Sequence, residues 1–429
     1  MSRHAGLSSA SPASPRNCGR WKIERGKFGT AVGRHPKRGV WGEAVRVPPS
    51  EKIPVVTRYA KRGVWGEAGR VPPIDVTRHA DEGGLGGSGT GPPNFMIVLA
   101  ILIGLLAATT ADAQLPKQVT LATNPPGTAY YAVASGLAKV VSSHAGYQMV
   151  VQPYTGTSTM LPLLNTGEVD FGLVNAVDLG LAYRGPSFKI GGRNPYPHAP
   201  NLRLVMRGSP LMVGLLVRKD SPIKVARDVK GKRMTGEYPA HLAVWYNMFG
   251  HLSSAGLTWS DVKVVPVPAV NDGVDALLQG RAEVTQHALN SAKVKEADAS
   301  VGVRHVSDDC SPAGEKRIRA GVPGYYPRWV KKGEATAVVE DTCFIAYDTY
   351  LAAGKGMSDA AVEAALKALW DHESELGPVH PMLKEWTRDR AVGSDVTIPY
   401  HPAAVRFFKE QGLWKPEMEQ AQQRLLGGK

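Results

Sequence analysis

Cysteine is scarce in this chain: three in 429 residues, at Cys18, Cys310 and Cys343. There is no C-x-x-C pair and no Cys/His spacing suited to structural zinc. No H-E-x-x-H occurs, so the metalloprotease arrangement is excluded as well. There is no G-x-S-x-G elbow, because Gly156-Thr157-Ser158 lacks the trailing glycine. Long apolar runs are also missing. The longest, residues 97–108, is too short to span a bilayer. Beyond it, no stretch is long and apolar enough for a membrane helix. No cofactor or metal is expected.

What is present divides the chain unevenly. Residues 37–49 read KRGVWGEAVRVPP and residues 61–73 read KRGVWGEAGRVPP. Two copies rich in Arg, Gly and Pro are too few for a repeat architecture and lack the apolar content to offset ordering entropy. Residues 1–95 are therefore expected to be a disordered leader or not native, with translation starting at Met96. Residues 96–113 have the apolar core and the Ala111-Asp112-Ala113 cleavage signal of a secretory signal peptide. An exported chain would begin at Gln114. The net charge of +13 belongs mostly to the leader. From Gln114 onward there are 35 Lys+Arg against 30 Asp+Glu, an excess of +5. No basic stripe with interleaved aromatics occurs there, so a nucleic-acid partner is not expected. Cys310 and Cys343 remain either a disulfide or two buried thiols.

After Gln114 a single pattern repeats three times. A short apolar run (residues 119–123, 149–153 and 171–174) stops at a small polar loop, and the loop opens a helix. The loops are Asn124-Pro125-Pro126-Gly127-Thr128, Tyr154-Thr155-Gly156-Thr157-Ser158 and Asn175-Ala176-Val177-Asp178. In an open α/β sheet the ligand crevice lies outside the carboxyl ends of the strands. Helix N-termini there offer free N–H groups and partial positive charge, which suits an anion.

The βα alternation predicts an α/β protein with mostly parallel sheets and flanking helices. Residues 202–207 and 212–218 read as two consecutive strands, and residues 342–347 as a strand that restarts after a second βα series. Residues 358–376 read as one amphipathic helix whose exposed charge leaves no obligate interface, so a monomer is expected. Two lobes follow: residues 114–212 with 340–429, and residues 213–339. The chain crosses between them twice, and the crevice loops of each face the other.

The candidate ligand residues come from both sides. Thr128 sits at an N-cap position, where capping and ligand donation are both open readings. Tyr130 and Tyr131 follow, and one of them is expected to pack, since adjacent helix positions point about 100° apart. Gly156, Thr157 and Ser158 form a second donor loop. Asn175 flanks the third crevice, and Asp178 is expected to cap or bridge. From the second lobe come Glu237, Tyr238 and His241 at one strand end, and His287 and Asn290 at another. Tyr325 and Tyr326 wall the cleft or pack at a hinge. Arg207 and Arg218 border the crossing strands, with structural ion pairs as the default.

The stretches NPPGTAYYAVASGLAKVV, YTGTSTMLPLLNTGEVDFGLVNA and LRLVMRGSPLMVGLLVRKDSPIKVARDVKGKRM resemble the TAXI family of solute-binding subunits of TRAP transporters. GRAEVTQHALNSAKV, PGYYP, EDTCFIAYD and VHPMLKEWT continue the resemblance in family order as far as about residue 413. The resemblance implies a two-lobed periplasmic binding protein of the Venus-flytrap type. It implies capture of a small organic anion and its delivery to TRAP permease membrane subunits. The first loop is less glycine-rich than is usual in that family, and the third strand ends in Asn175 where Gln is common, so the ligand itself does not carry over. A ligand sensor serving a signalling receptor is the alternative from another class. A hydrolase is a further one, but it has no nucleophile motif to support it.

Overall fold

The computed structural model describes residues 115–427. The repeat, the expected leader, the Met96 start, the signal peptide and Cys18 lie outside the described residues.

The first third builds the three predicted strand–loop–helix units. Strand β1 (Gln118–Thr123) leads to helix α1 (Ala129–His144), β2 (Gln148–Pro153) to α2 (Thr157–Thr166), and β3 (Phe171–Asn175) to α3 (Ala176–Arg184). The strands lie parallel in the order β2-β1-β3, with Val119 opposite Met149 and Leu121 opposite Phe171. All five residues of β3 are buried, as a central strand covered on both faces requires.

Strand β4 (Leu202–Arg218) follows and runs for 17 residues without a break. Residues 202–207 and 212–218 read as two strands, with Gly208-Ser209-Pro210 falling between them. The ladder instead absorbs the proline. Pro210 lies opposite Asp348, and the register shifts between Asp348 and Tyr350. A residue with no N–H is tolerated in a sheet at such an irregularity. Gly208 has its own reason: a β-carbon there would run into the ring of Trp386, which is fully buried against the strand.

The middle of the chain adds β5 (Arg233–Glu237), α4 (Leu242–Ser254), β6 (Lys263–Val267) and α5 (Val270–Leu278). It continues with β7 (Thr285–Ala288), α6 (Ala292–Val301), β8 (Val303–Val306), α7 (Pro312–Gly321) and β9 (Tyr326–Val330). β5 and β6 pair in parallel. β7 and β8 pair antiparallel with the second half of β4. Strand β10 (Thr342–Gly354) then runs antiparallel to β4 along nearly its whole length. Its first half pairs with β9 and its second half with β3. The expected α/β architecture, a central sheet with flanking helices, is present. The pairing is more mixed than simple βα alternation implies, because β4 and β10 run antiparallel through its centre.

The chain closes with α8 (Asp359–Asp371), α9 (Pro402–Glu410) and α10 (Pro416–Leu426). The helix expected over residues 358–376 ends at Asp371. His372 leaves helical geometry, and a single 3-10 turn, Glu373–Glu375, follows. Cys310 and Cys343 form a disulfide that ties the approach to α7 to the start of β10. Among the described residues no helix is long and apolar enough to cross a membrane.

Apolar packing follows the chain order. The largest buried cluster joins α1, β3 and the later half of β10 to Leu366, Trp386 and Phe408 from the last third. A second cluster, with Leu215, Met234, Met248 and Val284, belongs to the middle of the chain. β4 contributes to both, so one strand physically connects the two cores.

Candidate functional site

The carboxyl ends of β1 and β3 face the start of α4 and the end of β7 across a small, mostly buried cavity. Its volume is about 30 Å³, room for a water molecule or two. A wider surface groove of about 870 Å³ runs past Arg184, Phe188 and Leu425, but none of the candidate ligand residues lines it.

The first wall is made by helix starts. Thr128 caps α1: its hydroxyl accepts from the Tyr131 N–H at 3.2 Å and donates to the Pro125 carbonyl at 2.7 Å. Both roles are filled within the turn, so capping describes its hydroxyl fully. Tyr130 turns inward, 5% exposed, and its hydroxyl has no partner. Tyr131 points elsewhere and is half-buried. The 100° offset between neighbours on the helix thus separates the two tyrosines, as expected. Thr157 also lines the cavity, with its hydroxyl 2.7 Å from that of Tyr196. Asn175 caps α3 by accepting from the Val177 N–H at 2.6 Å, which leaves its Nδ2 buried and unpaired.

The opposite wall comes from α4, α5 and β7. His241 precedes α4; it is buried and its Nδ1 is unpaired. Asn247 sits one turn past Ala243 on the same helix face, and both line the cavity. Gln286, at 1% exposure, leaves its Oε1 unpaired. His287 is held on both sides. Its Nδ1 accepts from the Ala288 N–H at 3.0 Å, and its Nε2 lies 3.2 Å from Asn271 Oδ1. Tyr347 from β10 closes the floor, stacked on Tyr325 at 4.9 Å between ring centres. Asn247 donates to the Tyr347 hydroxyl at 3.4 Å and accepts from that of Tyr325 at 2.5 Å.

Several predicted residues are not in the lining. Gly156 backs the cavity, packed against the backbone of Ala240 and His241. Ser158 donates to the Pro239 carbonyl at 3.1 Å. Glu237 is exposed, and Tyr238 is fully buried away from the cavity, bonded to Thr235 at 2.6 Å. Both have positive φ, at 68° and 49°. That is an uncommon conformation for residues with a side chain, and it makes the sharp turn from β5 that brings His241 into place. Asn290, with φ of 61°, lies outside the lining, and its carbonyl is 3.4 Å from His380 Nε2. Tyr326 bonds to Asp348 at 3.0 Å. Arg207 bridges Asp348 at 2.9 Å and Asp395 at 2.6 Å, and Arg218 lies 3.8 Å from Asp220. Both arginines are in ion pairs, as expected.

Asp178 departs from expectation. It neither caps nor bridges; Asn175 does the capping, and both Asp178 carboxyl oxygens are buried without a hydrogen-bond partner. Burial raises its pKa from 3.8 to about 7, and the neighbouring hydroxyls of Thr157 and Tyr196 offset part of the rise. It also stands close enough to Tyr130, Tyr196, Tyr246, Tyr325 and Tyr347 to push each phenol further up. Burial drives the histidines the other way, His241 to about 4 and His287 to about 3. Both rings are therefore neutral at ordinary pH.

Neither lysine nor arginine lines the cavity. Its polar groups are neutral donors and acceptors, four of them unpaired: Tyr130 OH, Asn175 Nδ2, His241 Nδ1 and Gln286 Oε1. Asn124 Oδ1 is a fifth. Orphaned buried polar atoms are rare and costly, each worth about 1–3 kcal/mol. Five of them surround this one cavity.

Hydrogen bonds also join the two walls outside the cavity. Asn271 Nδ2 donates to the Pro126 carbonyl at 3.2 Å, and the Lys293 N–H donates to the Gly127 carbonyl at 3.1 Å. With Ser158 to Pro239, they hold the walls together.

An α/β protein with a small, orphan-rich cavity between two strand-end walls is the class that fold and site define. The chain belongs to the NMT1-like family, whose model matches residues 121–412. Solved structures similar to part of the chain include periplasmic binding proteins. One is the aliphatic sulphonate binding protein SsuA from Escherichia coli (16% identity, 73% of this chain and 100% of that one, TM-score 0.38). Others are BugD (13%, 73% and 98%, TM-score 0.44) and the arginine-, lysine-, histidine-binding protein ArtJ from Geobacillus stearothermophilus (15%, 65% and 98%, TM-score 0.39). At such identities and TM-scores, those proteins' ligands say nothing about this chain's.

Proposed function

We propose that this chain is a periplasmic solute-binding protein that captures a small organic anion between two lobes and delivers it to a TRAP-type permease. The lobes are residues 114–212 with 340–429, and residues 213–339. The observation that carries this reading is the set of unpaired buried polar atoms converging on the cavity from both sides. Each wall alone offers half of a hydrogen-bonding shell. A carboxylate taken out of water with only half its bonds made is strongly disfavoured. The ligand therefore favours the form in which both walls meet, which is how a ligand selects a closed state.

A cavity with room for a water or two admits no carboxylic acid, so the walls part for entry and, in the bound form, close around the ligand less tightly than they do here. β4 and β10 are the continuous strands between them, and bending there opens the cleft while the wall-to-wall bonds of Ser158, Asn271 and Lys293 break. The anion is held by neutral donors, Tyr130, Asn175 and Tyr347 from one lobe and the His241 imidazole from the other, in the way that amide, hydroxyl and ring N–H dipoles stabilise a single charge. The absence of a lining cation favours ligands with one negative charge over dianions. Delivery is tested by uptake: deleting the chain abolishes uptake of its ligand in cells that retain the permease. Unchanged uptake contradicts the permease role.

A further inference from the structure

Away from the cavity, three side chains from two packed elements bring their ligating atoms together. His144 ends α1, His372 follows α8, and Glu375 closes the 3-10 turn after it. His144 Nε2 and His372 Nδ1 each lie 3.1 Å from the same oxygen, Glu375 Oε1. All three ligating atoms fall within 4.8 Å of one another. We infer that His144, His372 and Glu375 form a surface site for a borderline divalent cation such as Zn²⁺, with water completing the shell.

The spacing is what such an ion needs. Zn–N bonds of 2.0–2.1 Å and Zn–O bonds of similar length give a ligand-to-ligand edge of about 3.3 Å in a tetrahedron. The two N···O edges are already close to that. The backbone beneath is fixed. Val140 and Val141 bury the last turn of α1, Leu369 and Leu376 bury the two sides of the turn, and the Tyr147 hydroxyl donates to the Ala361 carbonyl at 2.7 Å between the elements. The imidazole rings stack at 3.4 Å and 5°. An ion must lie in the plane of each ring, so binding turns the rings apart. Side chains 27% and 37% exposed have the freedom to do so. Two histidines and one carboxylate suit zinc, copper or nickel better than calcium or magnesium, which prefer all-oxygen shells. His144 and Glu375 are 231 residues apart, so no local spacing motif reveals the site. It also lies ~21 Å along α1 from Tyr130, at 1.5 Å per residue, so loading it leaves the cavity free.

The test is calorimetric titration of the untagged full chain with Zn²⁺ alone, repeated with His144→Ala, His372→Ala and Glu375→Gln. The full chain is expected to bind one ion at this site, and each variant to weaken that binding at least tenfold. Co²⁺ should give the intense visible absorption of a tetrahedral site in the full chain and lose it in the variants. Thermal unfolding of the metal-free variants at the full chain's temperature shows that they fold. No saturable binding, or equal affinity in all four proteins, overturns the site.

Discussion

Replacing Asp178 by asparagine should make the protein more stable, and increasingly so as pH rises. The carboxyl is fully buried, both oxygens lack partners, and no lysine or arginine lines the neighbouring cavity. Its pKa is about 7 in the fold, against 3.8 when free. The folded state therefore holds the proton more tightly than the unfolded chain does. Stability from this group is fully present below about pH 3.8 and is lost as pH rises, until the folded carboxyl itself ionises near 7. At about 1.4 kcal/mol for each tenfold difference in proton affinity, the full loss is roughly 4 kcal/mol. About 2–3 kcal/mol of it falls between pH 5 and pH 8. Asp178 lies in the first turn of α3, where the helix terminus favours a negative charge, so desolvation prevails over a real opposing effect. His241, His287 and His305 are depressed below 6.5 and act with the opposite sign, losing stability as pH falls toward 4. The whole-chain pH profile mixes these effects, whereas the difference between Asp178→Asn and the parent isolates the carboxyl. Urea unfolding of both proteins at pH 5 and pH 8 measures it. An advantage of asparagine that stays constant or shrinks toward pH 8 would refute the reasoning.

Tyr130→Phe removes a buried hydroxyl with no partner in the fold, so stability should hold or rise while ligand affinity drops by about 1–1.5 kcal/mol, read by calorimetry. Anion affinity itself should rise as pH falls through 7 and Asp178 takes its proton, and Asp178→Asn should flatten that dependence in the same titration. Arg207→Ala strands Asp348, whose side chain is 13% exposed, and should destabilise by about 2–4 kcal/mol in urea unfolding, even though Arg390 keeps a bond to it. Cys310→Ser with Cys343→Ser opens a cross-link over 33 residues. By loop entropy alone, about 3–4 kcal/mol of stability should go, measured against the oxidised parent.

The legible parts of this molecule were those with local causes. Thr128 and Gly156 mark helix starts because capping chemistry is written within four residues, and the three loops lie where the strand ends were placed. Tyr130 and Tyr131 separated as helix geometry requires. The unread parts depend on distant partners. Tyr347 and Asn247 reach the cavity through the pairing of β10 and the packing of α4, and Gln286 is one residue short of the histidine that drew attention. Residues 202–218 read as two strands until the register shift opposite Pro210 is seen. Glu237 and Tyr238 follow a strand end like true crevice residues, but their left-handed backbone turns them away. Asp178 looked like a cap because Asp in a first turn usually is one; the hydroxyl-rich burial around it comes from Tyr196, beyond a loop.

Native mass spectrometry of the chain purified from the periplasm, before and after partial unfolding, tests the central claim most directly. The account predicts one small organic acid, released when the protein unfolds and bound less tightly by Tyr130→Phe. A chain that arrives empty and binds no member of a panel of small monocarboxylates would contradict it.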